Sequence, residues 1–331
     1  MDSFIFALNA VLPLIIMVAC GYFLKRIGMI SKDFVKMANK LVFRFFLPIM
    51  LFLNIYNIDS IGSVQLGFVF YTLLVTGIIF LLAIPLVRAL SRDGGSRGVL
   101  IQATFRSNFA LIGIPLATSL FGAEGGAAAA VLSAFTIPLL NVLAVISLTM
   151  FKKQEGATSR IKDALINIAK NPLILGVLSG LLALAVRALF VHLNISFRLS
   201  DLTPVYKAAT TLSSVSTPLA LIVLGAQFEF SVVKDKSKEI IFGTLSRIVV
   251  SPLIGLGIAA LLFRDVFTGA QFAAMCAAFL TPVAVSSVPM AQEMDADTDL
   301  AGQLVVWTTL LSAFTVFLGV YILSLVGIFP T

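Results

Sequence analysis

Ten long apolar runs divide the chain, and each is close to the roughly 20 residues that an α-helix needs to cross a bilayer. The polar connections between the runs are short, so no soluble domain fits between any two of them. Only 12% of the residues are charged, whereas about a quarter is usual in soluble domains. The sequence therefore predicts an all-α integral membrane protein with ten spans. The spans lie at about residues 4–24, 37–56, 64–88, 98–120, 126–150, 172–190, 206–230, 239–263, 268–289 and 300–326.

The basic residues are distributed unevenly between the connections. Most of the 23 lysines and arginines lie in the loops after spans 1, 3, 5 and 7. The positive-inside rule places these loops in the cytoplasm, which predicts a multi-pass protein of the inner or plasma membrane with both termini outside. The loop after span 9 is an exception, because it is acidic although the number of spans places it in the cytoplasm. The net charge of +7 comes largely from these loops between membrane spans. We therefore expect the basic residues to lie beside the lipid bilayer, and we do not expect the protein to bind nucleic acid.

The ten spans divide into two sets of five, and because five is odd the two sets run in opposite directions through the membrane. Many secondary transporters are built from such inverted repeats. Prolines recur at corresponding places in spans 1 and 6 and in spans 2 and 7. The sequence therefore predicts two five-helix inverted repeats, residues 1–150 and 172–331, joined by a cytoplasmic linker over residues 151–171.

Spans 4 and 9 are interrupted by proline and polar residues in the stretches 105–119 and 279–293. A proline removes a backbone donor and disturbs the preceding turn, and each unpaired backbone group costs several kcal/mol in lipid. Such interruptions persist where the freed groups face protein, water or a ligand. A matched pair in the two halves of a membrane chain therefore indicates the binding site of a transporter.

The polar side chains of these interruptions are the candidate substrate-binding residues. Asparagine supplies donors and an acceptor, and serine supplies a rotatable hydroxyl. Arg106 neutralises an anionic substrate, or its side chain either extends to the membrane surface or pairs with a loop acid. For the serines and asparagines, hydrogen bonds that simply join helices are the alternative explanation. The predicted substrate-binding residues are Arg106, Ser107, Asn108, Pro115, Thr281, Pro282, Ser286, Ser287 and Asn54.

An overlapping group is predicted to bind a coupling ion, either sodium or a proton, and no other cofactor or metal is expected. Glu293 qualifies because it is a carboxylate beside an interrupted helix, although a solvated acid at a helix end explains it equally simply. Polar oxygens near an unwound segment are suited to replace the water around a cation. The predicted coupling residues are Ser107, Asn108, Thr136, Gln292 and Glu293.

Other residues within the spans are assigned structural roles. Arg44 and Arg247 lie near the cytoplasmic ends of spans 2 and 8, where a long side chain reaches water while its stem stays in lipid, so we expect both to anchor helices at the surface. Gly176 and Gly180 have the spacing of a close helix contact, and Asn141 is expected to hydrogen-bond between helices.

Several motifs resemble those of the auxin efflux carrier family, which includes the plant PIN exporters and bacterial malonate or malate permeases and is related to the bile/arsenite/riboflavin transporter superfamily. RSNFALIGIPLA in span 4 resembles the fourth-helix signature of the family. STPLALIVLGAQF in span 7 and TPVAVSSVPMAQEMDAD at span 9 follow in the family's order. Ser286 and Ser287 replace the valine–proline pair of PIN exporters. The resemblance therefore does not identify auxin, or any other acid, as the substrate.

The resemblance implies crossed helices 4 and 9, a scaffold of helices 1, 2, 6 and 7 and a moving core of helices 3–5 and 8–10. It also implies a homodimer, and a substrate carboxylate bound by Asn108, the asparagine of the span 4 motif. The bile-acid sodium symporters are similar at Ser107 and Asn108, where the corresponding pair helps to bind sodium.

We therefore expect a secondary active or facilitative transporter of a small organic anion, either auxin-like or a mono- or dicarboxylate such as malonate or malate. It would use elevator or rocking alternating access, with the site at the crossover of helices 4 and 9. The alternative is a membrane-embedded sensor that binds a small acid without transporting it. An enzyme is not expected, because every aspartate lies in or beside a loop, the single histidine lies near a helix end and no HExxH motif occurs.

Overall fold

The computed structural model describes residues 2–57, 66–151, 172–228 and 230–329, and the regular elements in these ranges are helices. The predicted linker over residues 151–171 lies outside the described residues, apart from Phe151. Short π-helical turns at Val42–Phe46, Phe109–Gly113, Ser246–Val250 and Leu253–Gly257 join several of the α-helices. The α-helices are α1 (Asp2–Arg26), α2 (Lys32–Leu41), α3 (Leu47–Tyr56), α4 (Gly67–Leu90), α5 (Gly94–Phe105), α6 (Ile114–Thr149), α7 (Pro172–His192), α8 (Thr203–Gln227), α9 (Phe230–Asp235), α10 (Ser237–Leu245), α11 (Ile258–Leu262), α12 (Gly269–Phe279), α13 (Ser287–Glu293) and α14 (Thr298–Leu325).

Seven helical segments of the described chain are long and apolar enough to cross a membrane, which confirms the prediction of an all-helical membrane protein. Six of them coincide with predicted spans 2, 3, 6, 7, 8 and 10. The remaining segment, α6, contains predicted span 5 and the end of span 4. The division into ten spans and two inverted repeats stays a prediction. The seven segments are Lys32–Tyr56, Gly67–Leu90, Ile114–Thr149, Pro172–His192, Thr203–Gln227, Ser237–Leu262 and Thr298–Leu325.

α6 contains a sharp turn at Phe121 and Gly122. Gly122 has φ 56° and ψ −147°, a conformation that a glycine adopts without steric cost. Residues eight apart in a straight helix are separated by about 12 Å along the axis. Here a Cβ atom on Gly125 would lie 2.3 Å from the carbonyl oxygen of Ala117, so the chain folds back on itself. The turn lies at the predicted boundary between spans 4 and 5.

Both predicted interruptions are present, because α5 ends at Phe105 and α12 ends at Phe279. The extended residues that follow pair with each other through an antiparallel bridge between Ser107 and Val283. The N–H of Asn108 donates to the carbonyl of Pro282 at 2.8 Å, and the N–H of Ala284 donates to the carbonyl of Arg106 at 3.3 Å. Each interruption thus supplies hydrogen-bond partners for backbone groups that the other leaves free.

Glycines allow two pairs of helices to pack with their backbones in contact. A Cβ atom on Gly21 in α1 would lie 1.9 Å from the carbonyl oxygen of Ile222, and one on Gly225 in α8 would lie 1.9 Å from that of Val18. Cβ atoms on Gly176 and Gly180 of α7 would likewise lie 2.6 Å and 3.0 Å from backbone carbonyl oxygens of α3. The predicted close helix contact at Gly176 and Gly180 is therefore confirmed, and it joins α7 to α3.

Candidate functional site

A cavity of about 60 Å³ lies where the two interruptions meet α3, α6, α7 and α8. Most of its wall is apolar, with a smaller set of polar groups, as is usual for small-molecule sites. Arg106 is the one charged side chain among the described residues that line it. The polar lining residues are Arg106, Ser107, Asn108, Asn141, Ser216, Thr217 and Ser286.

Arg106 is a buried cation whose observed partners are all neutral. It is 3% exposed. Its Nη2 donates to Asn141 Oδ1 at 3.0 Å and to Ser286 Oγ at 2.9 Å, and its Nη1 contacts the Sδ of Met290. The burial of Arg106 excludes the alternative of a side chain that extends to the membrane surface, and no carboxylate of the described residues pairs with it. Because a buried charge without a counter-charge is costly, the cavity is suited to an anion.

Three more polar groups in the cavity wall make no hydrogen bond within the described part of the chain. They are Ser107 Oγ, Asn108 Nδ2 and Ser216 Oγ, and all three are buried. A hydroxyl can donate one hydrogen bond and an amide nitrogen can donate two. An unpaired buried polar group costs about 1–3 kcal/mol. We call Arg106, Ser107, Asn108 and Ser216 the donor cluster, and this cluster is chemically complementary to a carboxylate.

The backbone of the interruptions holds Ser107 and Asn108 in place. The carbonyl of Asn108 accepts from the N–H groups of Ile112 and Gly113 at 3.1 and 3.2 Å, which starts the π-helical turn. On the opposite segment, the N–H of Val283 donates to Thr308 Oγ1 of α14 at 3.1 Å. The donor cluster is therefore anchored by rigid helices on both sides of the bridge, as a preorganised site requires.

Arg247 does not lie at the membrane surface, so the prediction of a surface anchor is wrong for this residue. It is 0% exposed, and its guanidinium lies at the C-terminal end of α12. Nε donates to the carbonyl of Thr281 at 2.8 Å, and Nη2 donates to those of Ala278 and Phe279 at 2.7 and 3.3 Å. The acceptors are backbone oxygens more than 30 residues away in the sequence. The residue types around Arg247 therefore do not predict this contact.

Arg44, the other predicted anchor, has a side chain that is 58% exposed, and its Nε lies 2.9 Å from Glu293 Oε2. Gln292, next in sequence to Glu293, accepts from Asn39 Nδ2 and from Gln227 Nε2, the latter at 3.2 Å. These contacts connect α13 to α2, α8 and the turn between α2 and α3. The predicted coupling residues Gln292 and Glu293 thus contact other helices, and neither lines the cavity.

The structure brings four of the predicted substrate-binding residues to the cavity: Arg106, Ser107, Asn108 and Ser286. Thr281 and Pro282 take part through their carbonyls, which bind Arg247 and the N–H of Asn108. The predicted coupling residue Thr136 has a buried hydroxyl with no partner among the described residues, but lies outside the lining. The predicted residues that do not line the cavity are Pro115, Thr281, Pro282, Ser287 and Asn54.

The sequence reasoning missed Ser216, Thr217 and Met290. Ser216 and Thr217 come directly before Pro218, the proline that matches Pro48 in the other half, so the recurrence of prolines could have indicated them. Met290 contacts Arg106 through its thioether, and an apolar residue in an apolar span gives no such signal.

Comparison with known proteins gives consistent matches over nearly the whole chain. A family model described as membrane transport protein matches residues 6–320. An uncharacterized transporter of Methanothermobacter thermautotrophicus is 26% identical over 309 residues, which is 92% of this chain and 94% of the relative. An uncharacterized transporter of Methanocaldococcus jannaschii is 27% identical over 262 residues, covering 77% of this chain and 80% of the relative.

Proposed function

Because the chain belongs to the membrane transport protein family, the auxin efflux carrier family that its motifs resemble, we propose that it carries a small organic anion by secondary active or facilitative transport. The observation that supports this most directly is Arg106, a buried cation in a cavity whose described wall contains no carboxylate. A substrate carboxylate would supply the missing negative charge and accept hydrogen bonds from the guanidinium.

The remaining members of the donor cluster would complete the binding of this carboxylate. Asn108 Nδ2, Ser107 Oγ and Ser216 Oγ are buried and unpaired within the described residues, so a ligand would satisfy groups that are costly to leave alone. The apolar part of the wall, which includes Leu47 and Leu140, would hold the hydrocarbon body of the substrate.

The proposed mechanism is elevator or rocking alternating access between two inverted five-helix repeats. The scaffold would be helices 1, 2, 6 and 7 of the ten predicted spans, and the core would be helices 3–5 and 8–10. The backbone contacts of α1 with α8 and of α3 with α7 favour a rigid scaffold. The bonds of Gln292 to Asn39 and of Glu293 to Arg44 would join core to scaffold on the predicted cytoplasmic side and would break when the core moves.

The test is substrate-dependent stabilisation combined with flux. Small carboxylic acids are screened for a rise in Tm of the detergent-solubilised protein, since a ligand that binds only the folded state raises apparent stability. Active acids are then tested for uptake into proteoliposomes. We expect uptake that Asn108→Ala and Arg106→Gln abolish. Unchanged uptake in both variants would contradict the proposed site.

A membrane-embedded sensor is the second candidate, and the same cavity supports it. Binding without flux in proteoliposomes would identify a sensor.

Replacing sodium with potassium, and separately removing the pH gradient, distinguishes uniport, proton coupling and sodium coupling. Localisation in the cell membrane with both termini outside, and assembly as a homodimer, complete the proposal.

A further inference from the structure

The last carbonyls of α12 would be unpaired in a helix that stops within the membrane, and their observed partners can be traced. The carbonyl of Cys276 accepts from the N–H of Leu280 at 2.9 Å, and that of Ala277 accepts from Thr281 Oγ1 at 2.9 Å. The carbonyls of Ala278, Phe279 and Thr281 accept from the guanidinium of Arg247. One side chain from another helical segment therefore satisfies two carbonyls of α12 and that of Thr281 just beyond it.

This group of oxygens resembles the environment that carriers use for a cation. A helix C-terminus carries about half a negative charge, and the unwound carbonyls and half-helix C-termini of broken membrane helices coordinate sodium ions or protons. Arg247 fills this environment with a covalently attached cation. Its Nη1 also lies 3.4 Å from Ser251 Oγ, and no carboxylate of the described residues pairs with it. The partial charge of the helix end is therefore the main counterpart of its positive charge.

We propose that Arg247 is a resident cation that takes the place of an alkali ion at the second interruption. The carbonyls at the end of α12 then need no sodium, and the carrier would work by uniport or proton coupling. Arg247 is a positioning residue, because it holds Thr281 beside the segment that pairs with Ser107 and Asn108. The inference concerns the coupling of the proposed carrier, but its test requires no organic acid.

The first experiment measures the Tm of the full-length wild-type protein in detergent, in sodium chloride, potassium chloride or choline chloride at equal ionic strength and without organic acid. We expect the three values to agree. Specific sodium binding at ten times its Kd would raise Tm by about 2 °C or more. Such a rise in the wild-type protein would overturn the proposal.

The second experiment removes the resident cation with Arg247→Ala. We expect a lower Tm in choline chloride and a recovery of about 2 °C or more in sodium chloride, because the exposed carbonyls can then bind the free ion. A purely structural arginine would give a lower Tm without any dependence on the cation. A folded Arg247→Ala protein with equal Tm in all three salts would therefore overturn the proposal.

Arg187→Ala is the matched control, because Nη1 of Arg187 donates at 2.7 Å to the carbonyl of Tyr56, another helix end away from the crossover. We expect no sodium response in this variant, and an equal response would overturn the assignment to the second interruption. If Arg247→Ala does not fold, the proposal is tested by the Tm of the wild-type protein in the three salts and by the Tm of Arg247→Lys in the same salts. Arg247→Lys keeps a cation in place and should show no sodium response, so a sodium-specific rise there would contradict the proposal. None of these outcomes depends on whether the donor cluster binds a carboxylate.

Discussion

A buried arginine lies at each of the two interruptions, and the two arginines have different partners. Arg247 donates to three backbone carbonyls at the end of α12. Arg106 donates to neutral side chains in the wall of a cavity. Both are almost fully buried, and neither pairs with a carboxylate of the described residues. Burial and residue type are therefore insufficient to assign a role, and the partners of the guanidinium distinguish a structural cation from one available to a ligand.

The difference arises from how each arginine is attached to its interruption. Arg106 belongs to the interrupted backbone itself, and its N–H donates to the carbonyl of Gln102 at the end of α5 at 3.0 Å. Its side chain does not pair with the carbonyls of that helix end and instead lies in the cavity wall. Arg247 comes from the π-helical turn Ser246–Val250 and reaches the end of α12 from outside, so its side chain is used to satisfy that helix end.

The largest expected effect is on stability, in Arg247→Met. The substitution leaves three buried carbonyls without donors, and at about 1–3 kcal/mol each the loss is about 3 kcal/mol or more. We expect the Tm of the detergent-solubilised protein to fall by several degrees. Arg44→Met is the control, because an exposed ion pair contributes about 0–1 kcal/mol. Equal decreases in the two variants would remove the structural distinction between the arginines.

Substitution of Arg106 at the first interruption should lower ligand affinity and leave stability unchanged or higher, which is the opposite of the effect expected for Arg247. Arg106→Gln removes a buried charge that has no counter-charge among the described residues, so the Tm without ligand should stay the same or rise. A charged hydrogen-bonded contact contributes about 1.5–3 kcal/mol, so carboxylate affinity should fall by about 100-fold. Isothermal titration with an acid from the screen measures this. A marked drop in Tm with unchanged affinity would show that Arg106, like Arg247, is structural.

Arg106 is the one cation among the described residues of the cavity wall, which predicts a preference for a single carboxylate. Butyrate and succinate have the same number of carbons, but succinate carries a second carboxylate that would have no cationic partner among the described lining residues. We expect butyrate to bind at least about tenfold more tightly, since burying an unpaired charge is costly. Competition binding of the two acids measures the ratio. Tighter binding of succinate would indicate a second cation at the site.

The unpaired hydroxyl of Ser107 predicts a smaller effect. Ser107→Ala removes a buried group that has no partner within the described residues, so Tm without ligand should not fall. Loss of one hydrogen bond of about 1 kcal/mol should weaken carboxylate binding about fivefold. Thr244→Val is the matched control, because the hydroxyl of Thr244 is also buried without a partner in the described part of the chain but lies outside the cavity. Equal effects on affinity would exclude a direct role for Ser107.

The smallest effect concerns the starts of the two interrupted helices. Asp93 caps α5 by accepting from the N–H of Ser96 at 2.7 Å, whereas the neutral Thr268 caps α12. The hydrogen bond from Ser96 holds the pKa of Asp93 below its usual value, and Lys236 adds to the effect. The stabilisation by the carboxylate is therefore present at neutral pH and is lost as the pH falls through the lowered pKa.

The measurement compares wild type with Asp93→Asn, which keeps a neutral cap. The stability advantage of the wild-type protein should shrink as the pH falls below about 5 and should be lost as the pH passes the lowered pKa, because the ordinary aspartate pKa is about 3.9. Thr268→Ser in α12 should show no such pH-dependent difference from wild type. A constant difference between wild type and Asp93→Asn across this range would contradict the assignment.

Much of the site could be predicted from sequence, because its signals are local. The prolines and polar residues of 105–119 and 279–293 indicated the two stretches that contain the interruptions, and Arg106, Ser107 and Asn108 were placed at the first interruption. The contribution of Ser216 and the burial of Arg247 were not predicted. Both depend on which helix packs against which, and that information is spread over distant parts of the chain.

The sequence by itself determined that the chain is a helical membrane protein, that two of its spans are interrupted and which polar residues lie there. These properties follow from hydropathy and from the missing N–H of proline, which act over a few residues. The tertiary structure alone decided how the freed groups are satisfied. Arg106 meets Ser286 across 180 positions of sequence, and Arg247 meets the end of α12 through backbone oxygens that every residue type possesses. Partners of this kind are selected by the packing of the helices, so one arginine supports the fold while the other is left facing the cavity.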